Sequence, residues 1–273
     1  MHEPRPLIPV TIEGLEALAQ ELLTSTGGKP PVHAGKGVVL APSYIKDPEN
    51  YIGVPQIGAI ISKRERHKNL KWEPTLKAIH EEGGSLGGKL SMPDIPDFMT
   101  HFFNVKEAAL GRGTLYDGRG KPLKKDEAVS QWNYFSSTDR SPFNGQMCWT
   151  WLNAKFVKGK GALKLNLQTD YHFDASGNLV FSQTPLEACL EEDALVDLDK
   201  PFNKQYLATS AQKSANINYA QGHNLYFWYP RKNAVARFAA SSGGAGLGCN
   251  GSPSLADPAL GVFVCAEGAP PEK

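Results

Sequence analysis

Few residues of this chain stand at spacings that chemistry demands. Tyr171-His172-Phe173-Asp174 sets a histidine two residues from an aspartate. On a strand the two share one face, which suits a cross-strand polar contact better than a metal. Glu191-Glu192-Asp193, Asp197 and Asp199 gather carboxylates of the kind a hard cation accepts. Without the ordered ligand spacing of a calcium loop they read as a solvated acidic loop. The four cysteines, at 148, 189, 249 and 265, are far apart and form no CxxC pair, which argues against a structural zinc site or a dense disulfide framework. Cys249 and Cys265 read as small buried hydrophobes, free to pair only if their segments do. Gly243-Gly244-Ala245-Gly246 is not followed by a helical pattern, so it does not make a phosphate cradle. Phosphate-loop, dinucleotide, zinc-protease and serine-hydrolase motifs are all missing from the sequence. No catalytic residue, metal ligand or cofactor is assigned.

The totals narrow the field further. A length of 273 residues with 41% hydrophobic and 21% charged residues describes an ordinary globular chain able to bury a sizeable core. A formal charge of +1 argues against binding a polyanion through bulk charge, so no nucleic-acid partner is expected. The basic run Lys63-Arg64-Glu65-Arg66-His67-Lys68 reads as a solvated strand end or turn. No apolar run reaches the roughly 20 residues a membrane helix needs. The opening MHEPRPLIPVTIEG lacks the basic and apolar regions of an export signal. A cytoplasmic or virion location is the expectation.

The elements that must position any site are short. Apolar residues at 12, 15, 18, 19, 22 and 23 predict a helix capped by Thr11, followed by a turn-rich connector to Lys36. Gly37 to Ile45 and Ile57 to Ser62 read as strands around a turn broken by Pro48. Helices are predicted at Glu73–Glu82, ended by Gly83-Gly84, at Asp97–Leu110, and at Asp126–Phe135. Cys148 to Leu152 is too aromatic for the surface. Ala162 to Phe173 and Leu179-Val180-Phe181 flank the turn Asp174–Asn178 and make a hairpin. Leu190 to Lys200 reads as loop, and 201–222 shows no clear period. The sum is α+β, without the alternation of a parallel βαβ fold.

The most unusual stretch runs from Asn224 to Gly268. Leu225 to Phe238 and Ala259 to Ala266 are apolar and β-branched or aromatic, and read as strands. Between them, the 20 residues from Ala239 to Pro258 hold no Lys, Arg, Glu, Gln, Met or aromatic residue, and 13 are Gly, Ala or Ser. Period two divides them. Phe238, Ala240, Ser242, Ala245, Leu247 and Cys249 form an inward set, while Ala239, Ser241, Gly243, Gly244, Gly246 and Gly248 point outward.

The words WYPR (228–231), VARF (235–238), the cysteine at 249 and ALGVF (259–263) before Cys265 resemble the variable region of diversity-generating retroelement variable proteins. Upstream, Leu115-Tyr116-Asp117-Gly118, Trp151 to Phe156 and the paired helices of Trp72 to Phe103 match such proteins in order. The resemblance covers roughly residues 40–268. It implies a C-type lectin-like fold, of the branch related to formylglycine-generating enzymes, with short antiparallel strands and two or three helices. The implied division is an N-terminal helix and connector (1–36), the lectin-like domain (37–268) with its variable region at 237–265, and a flexible tail (269–273). In that family adenine-directed copying errors never yield Lys, Glu, Gln, Met or Trp at varied codons, and those types are all absent from 239–258.

The resemblance further implies a non-enzymatic protein that displays a diversified surface to an unknown protein or surface-polymer ligand, as in phage or prophage receptors. The variable, ligand-binding role falls on Ala239, Ser241, Gly243, Gly244, Gly246, Gly248, Asn250, Gly251, Ser254, Leu255 and Ala256. The two rival readings are a formylglycine-generating-type enzyme and a phage structural protein without diversification. With no aromatic residue at 239–258, the surface is expected to be low in relief. The lectin calcium motifs are also missing, which argues against calcium-mediated sugar binding.

Overall fold

A computed structural model describes residues 37–159, 165–212 and 218–269. The predicted helix at 12–23 lies outside them, as do residues 270–273. Among the described residues there are three α-helices, α1 (Trp72–Leu86), α2 (Ile95–Ala109) and α3 (Lys125–Ser136). Ten strands form two sheets. β1 (Tyr51–Val54), β2 (Ala59–Ser62) and β10 (Cys265–Glu267) make the smaller one, antiparallel throughout. The larger contains β3 (Cys148–Lys158), β4 (Leu165–Phe173), β5 (Leu179–Pro185), β6 (Ala194–Asp197), β7 (Asn224–Trp228), β8 (Ala234–Ser241) and β9 (Gly244–Gly251), in the order β5-β4-β3-β8-β9-β7-β6. The class is α+β. Not every pairing is antiparallel, because β7 runs parallel to β9.

The helices form where side chains can bury one face and satisfy the chain ends. α2 begins after Asp94, whose carboxylate accepts the Asp97 amide at 2.8 Å, with Pro96 in the first turn. Its residues Phe98, Met99, Phe102 and Phe103 all turn into the core. α3 carries Glu127 back onto the Lys124 amide at 3.0 Å, half of a capping box. α1 continues through Gly83-Gly84 and stops at Gly87, which takes the left-handed conformation at φ +77°. The paired glycines do not end the helix, and Gly83 lies so close to the Leu90 backbone that a Cβ there would stand 2.8 Å from its nitrogen.

α3 packs on β8 and β9, and α2 on β3 and β1, over one face of the large sheet. There Phe98, Phe102, Phe135, Phe238 and Phe263 share one aromatic cluster, with ring centroids 4.9 Å apart for Phe98–Phe238 and 5.5 Å for Phe102–Phe238 and Phe135–Phe263. A second cluster covers part of the opposite face: Trp72 and Leu76 of α1, Trp151, Val235, and the C-terminal residues Leu260, Val262 and Val264. Trp72 Nε1 donates to the Leu152 carbonyl and Trp151 Nε1 to that of Leu70, so these two indoles are satisfied.

Several expectations are corrected. Gly37 to Ile45 is not a strand; only Leu40 pairs, with Ala269, so the last segment is tied down at that residue. Tyr51–Val54 is the strand instead, because Pro48 opens a short 3-10 turn directly before it. Residues 194–197 of the acidic loop pair with β7 as an edge strand. Ala259 to Ala266 is mostly irregular, held by bridges from Gly261 to Thr150, Val262 to Arg66 and Cys265 to Ser91. Its apolar residues fill gaps between layers, and only the last pair in register with β2.

His101 of α2 is fully buried against Phe135, 5.5 Å between ring centroids, and neither ring nitrogen has a hydrogen-bond partner among the described residues. Burial lowers its pKa to about 3. The unfolded histidine takes up its proton near pH ~6.5, so this site costs nothing above that pH and destabilises progressively as pH falls toward the folded value. Nearby Asp97, pushed up to about 7 by burial and by Asp94, acts with the opposite sign, and a wild-type-minus-variant difference isolates the histidine. The stability of His101→Leu relative to wild type, by urea unfolding, is expected to improve by about 2 kcal/mol between pH 7 and pH 5. An equal difference at both pH values contradicts this.

Candidate functional site

The solvent side of the strands β7, β8, β9 and β3 holds most of the positions singled out by sequence. Phe238, Ala240, Ala245, Leu247 and Cys249 are all at most 1% exposed and face the helices. The period of two then turns Arg237, Ala239 and Ser241 of β8, and Gly244, Gly246, Gly248 and Asn250 of β9, to the other side. Ser242 departs from the inward set: with Gly243 it makes the exposed two-residue turn between Ser241 and Gly244.

Register aligns these residues in rows. Trp149, Ala239, Gly246 and Tyr226 stand abreast on four neighbouring strands, and Trp151, Arg237, Gly248 and Trp228 form the next row. Large side chains therefore rise on both sides of a floor of small residues. β9 is a poor strand by composition, since interior glycines cost about 0.5–1 kcal/mol each. It persists because it is paired on both edges and buries its alternate residues.

The floor is not open. Gly244, Gly246, Gly248 and Gly251 are buried, and Ala239, Ser241 and Asn250 are half-buried. A Cβ at Gly246 would collide with the Trp228 ring, and one at Gly244 with Tyr219. Gly244 also has φ +118°, a conformation that suits glycine. A Cβ at Gly251 would lie 2.8 Å from the Val235 carbonyl oxygen, so backbone rather than a movable side chain limits that position. Tyr219, Tyr226 and Trp228 stack along the edge, with centroids 6.0 and 5.9 Å apart and planes inclined at 18° and 28°. Tyr219 is anchored by its hydroxyl on the Ser136 carbonyl at 2.6 Å, and burial pushes its pKa up to about 12.

The expected low relief is thus corrected. Aromatic area comes from outside the bland segment, from residues that sequence reasoning treated as framework. The signal was present in Asn224-Leu225-Tyr226-Phe227-Trp228, whose alternation puts Tyr226 and Trp228 on one face.

On the far side of the floor the Arg237 guanidinium lies over the Trp149 ring, 5.6 Å from its centroid. Burial lowers its pKa, with no charged neighbour contributing. Trp149 is set by a buried carboxylate: Glu65 accepts its backbone amide at 3.0 Å and the Tyr134 hydroxyl at 2.6 Å. The basic run is the strand end and turn expected after β2, with Arg64 and Lys68 exposed, but Glu65 within it is buried. Arg66 and His67 both engage Glu82, and Arg64 bonds Gln131 at 2.8 Å.

Beyond Gly251 the chain leaves the sheet in a turn closed by Leu255 N–H on the Ser252 carbonyl, with Ser252 and Ser254 hydroxyls 2.9 Å apart. Ser254 and Ala256 are exposed, while Leu255 packs on the second cluster. Ser254 and Pro253 line a groove of about 710 Å³ shared with α1, whose other walls include Lys71, Glu73, Lys77 and Lys155. The eleven positions therefore divide among the covered floor, the exposed hairpin turn that holds Gly243, and the turn at 252–256.

The remaining candidates resolve into structural roles. His172 Nδ1 lies 2.8 Å from the Asp170 carbonyl oxygen, while Asp174 accepts the amides of Ser176 and Asn178 at 2.8 Å, so the two do not meet. Asp193 accepts the Tyr229 amide at 3.1 Å and pairs with Arg231 at 3.0 Å. No group of three or more metal-type ligands occurs among the described residues. Cys148, Cys249 and Cys265 are free, buried thiols whose pKa burial pushes up. No described helix is long and apolar enough to cross a membrane. No family model, curated protein or solved structure matches the chain.

Gly246→Val should force Trp228 off the floor. We expect a loss of about 1–3 kcal/mol in urea unfolding and a shifted 5-fluorotryptophan resonance for Trp228. Ser254→Tyr, on the exposed turn, should stay within about 0.5 kcal/mol of wild type. An unchanged resonance and stability in Gly246→Val contradict the assignment.

Proposed function

We propose that this chain is a ligand-binding protein that displays a retroelement-diversified surface on a C-type lectin-like scaffold and recognises a protein or surface polymer. The observation that carries the reading is the one-sidedness of 238–250. Phe238, Ala240, Ala245, Leu247 and Cys249 are locked in the helix-side core, while Ala239, Ser241, Gly244, Gly246, Gly248 and Asn250 point away from it. A segment built this way can change on one side without disturbing the helix-side core, and at little cost where no neighbour covers the position, as at the exposed Gly243. The wordings WYPR, VARF and ALGVF and the absence of Lys, Glu, Gln, Met and Trp at 239–258 support the same reading.

Within the floor, variation has a particular form. The Trp228 ring occupies the volume that a side chain at 246 needs, so a larger residue there exchanges with the indole rather than adding to it. The exposed positions 243, 254 and 256 have no such partner. A binding role also accords with three thiols kept protonated by burial, the opposite of a reactive thiolate.

Sequencing the DNA around the coding region tests the diversification directly. A near-copy of the codons for 237–265 is expected, differing only at adenines and falling on the eleven named positions. Absence of a copy, or differences at other bases, contradicts the proposal.

A further inference from the structure

Arg237 is the least explained charge on this face. It is half-buried, and among the described residues it has neither a hydrogen bond nor an ion pair; its one recorded partner is the Trp149 ring. Other arginines differ. Arg231 pairs with Asp193, Arg66 with Glu82, Arg119 with Glu49, and Arg140 donates to the Gln146 carbonyl at 2.7 and 2.9 Å. A guanidinium partly withdrawn from water without an acceptor is costly to keep, and its fork of N–H donors suits a planar acceptor.

A second orphan stands beside it. Trp149 Nε1 is a buried donor with no hydrogen-bond partner among the described residues. Indole N–H groups normally find one when buried, and here the ring that carries the orphan is the ring that supports Arg237. The two unsatisfied donors thus belong to one cation–π pair, and both call for an oxygen acceptor. Small residues flank them: Gly248 is opposite Arg237 and Ala239 is opposite Trp149, and the nearby acceptor Asn250 Oδ1 is itself without a hydrogen-bond partner among the described residues, so it satisfies neither donor.

We infer that Arg237 and Trp149 form a recognition point for a carboxylate presented by a protein partner, an Asp or Glu side chain framed by apolar residues. The inference rests on the ligand-binding reading above and specifies the chemistry of that same face. A protein is favoured over an acidic polymer by the distribution of charge. Polyanions are held by cations repeated along their length, whereas this face offers one unpaired guanidinium between Trp149 and the Tyr226–Trp228 stack. Tryptophan, tyrosine and arginine clustered around a desolvated centre is the composition that dominates protein–protein binding energy.

The test uses the full chain, labelled with nitrogen-15, and follows the Arg237 Nε–H and Trp149 Nε1–H resonances. Acetyl-Leu-Glu-Leu-amide is titrated in, with acetyl-Leu-Gln-Leu-amide and trigalacturonate as comparison probes. Both resonances are expected to move together and saturate with the Glu peptide, with binding roughly tenfold weaker for the Gln peptide. Arg237→Gln should abolish the response of the Trp149 resonance. Arg237→Lys, which keeps the charge but not the fork, should weaken it about fivefold or more; unchanged thermal unfolding of either variant guards against a folding defect. No saturable shift, equal response to both peptides, tighter binding of trigalacturonate, or an undiminished response in Arg237→Gln would each overturn the inference. Those outcomes leave the flanking-DNA comparison untouched, so failure of the carboxylate site is distinguishable from failure of the diversification reading.

Discussion

The packing of Phe238 among Phe98, Phe102 and Phe135 is the constraint on which the rest depends. It joins β8 to α2 and α3, and a buried phenylalanine of this kind contributes about 3–5 kcal/mol against truncation. Once that ring is fixed, the pleat of the strand leaves no choice for its neighbours. Arg237 and Ala239 must emerge on the other side, and through the β8–β9 register so must Gly246 and Gly248. A slip of one residue would drive Arg237 into an aromatic cluster and expose Phe238. The core thus sets the orientation of the candidate face without contributing any atom to it.

The face itself is held by a second set of contacts. β9 would not be chosen as a strand on propensity, and it is sustained by β8 on one edge and β7 on the other. Its glycines permit the Trp228 and Tyr219 rings to lie close to the backbone, which turns a run without side chains into a surface with aromatic walls. Glu65 fixes the other wall by holding the Trp149 amide. Floor and walls are therefore separately supported, so the small residues can be few in kind while the frame around them is elaborate.

Much of this was legible from residue types. The helix predicted at Asp97–Leu110 announces itself through Pro96 and its phenylalanines and is found at Ile95–Ala109, and the inward set Phe238, Ala240, Ala245, Leu247 and Cys249 follows from period two, Ser242 excepted. What was not legible depended on distant pairing. Glu65 lies in a basic run and reads as solvent-facing until Tyr134 and Trp149 are brought to it. Ala194–Asp197 is acidic and short, and becomes a strand only because β7 offers an edge. The covering of Gly246 by Trp228 could not be foreseen, because parallel pairing of β7 with β9 skips the intervening β8. Local pattern says which way a side chain points; it does not say what lies on top of it.

The central claim is that residues 237–256 are fixed on one side and changeable on the other. Saturation mutagenesis of this segment, with folded molecules selected by protease resistance, measures it most directly. The account predicts tolerance that alternates along the strands, with 239, 241, 243, 254 and 256 accepting most residues and 238, 240, 245, 247 and 249 accepting almost none; 246 should fall between, because Trp228 must yield. Uniform tolerance across the segment, or intolerance at 239 and 241 equal to that at 238 and 240, would contradict it.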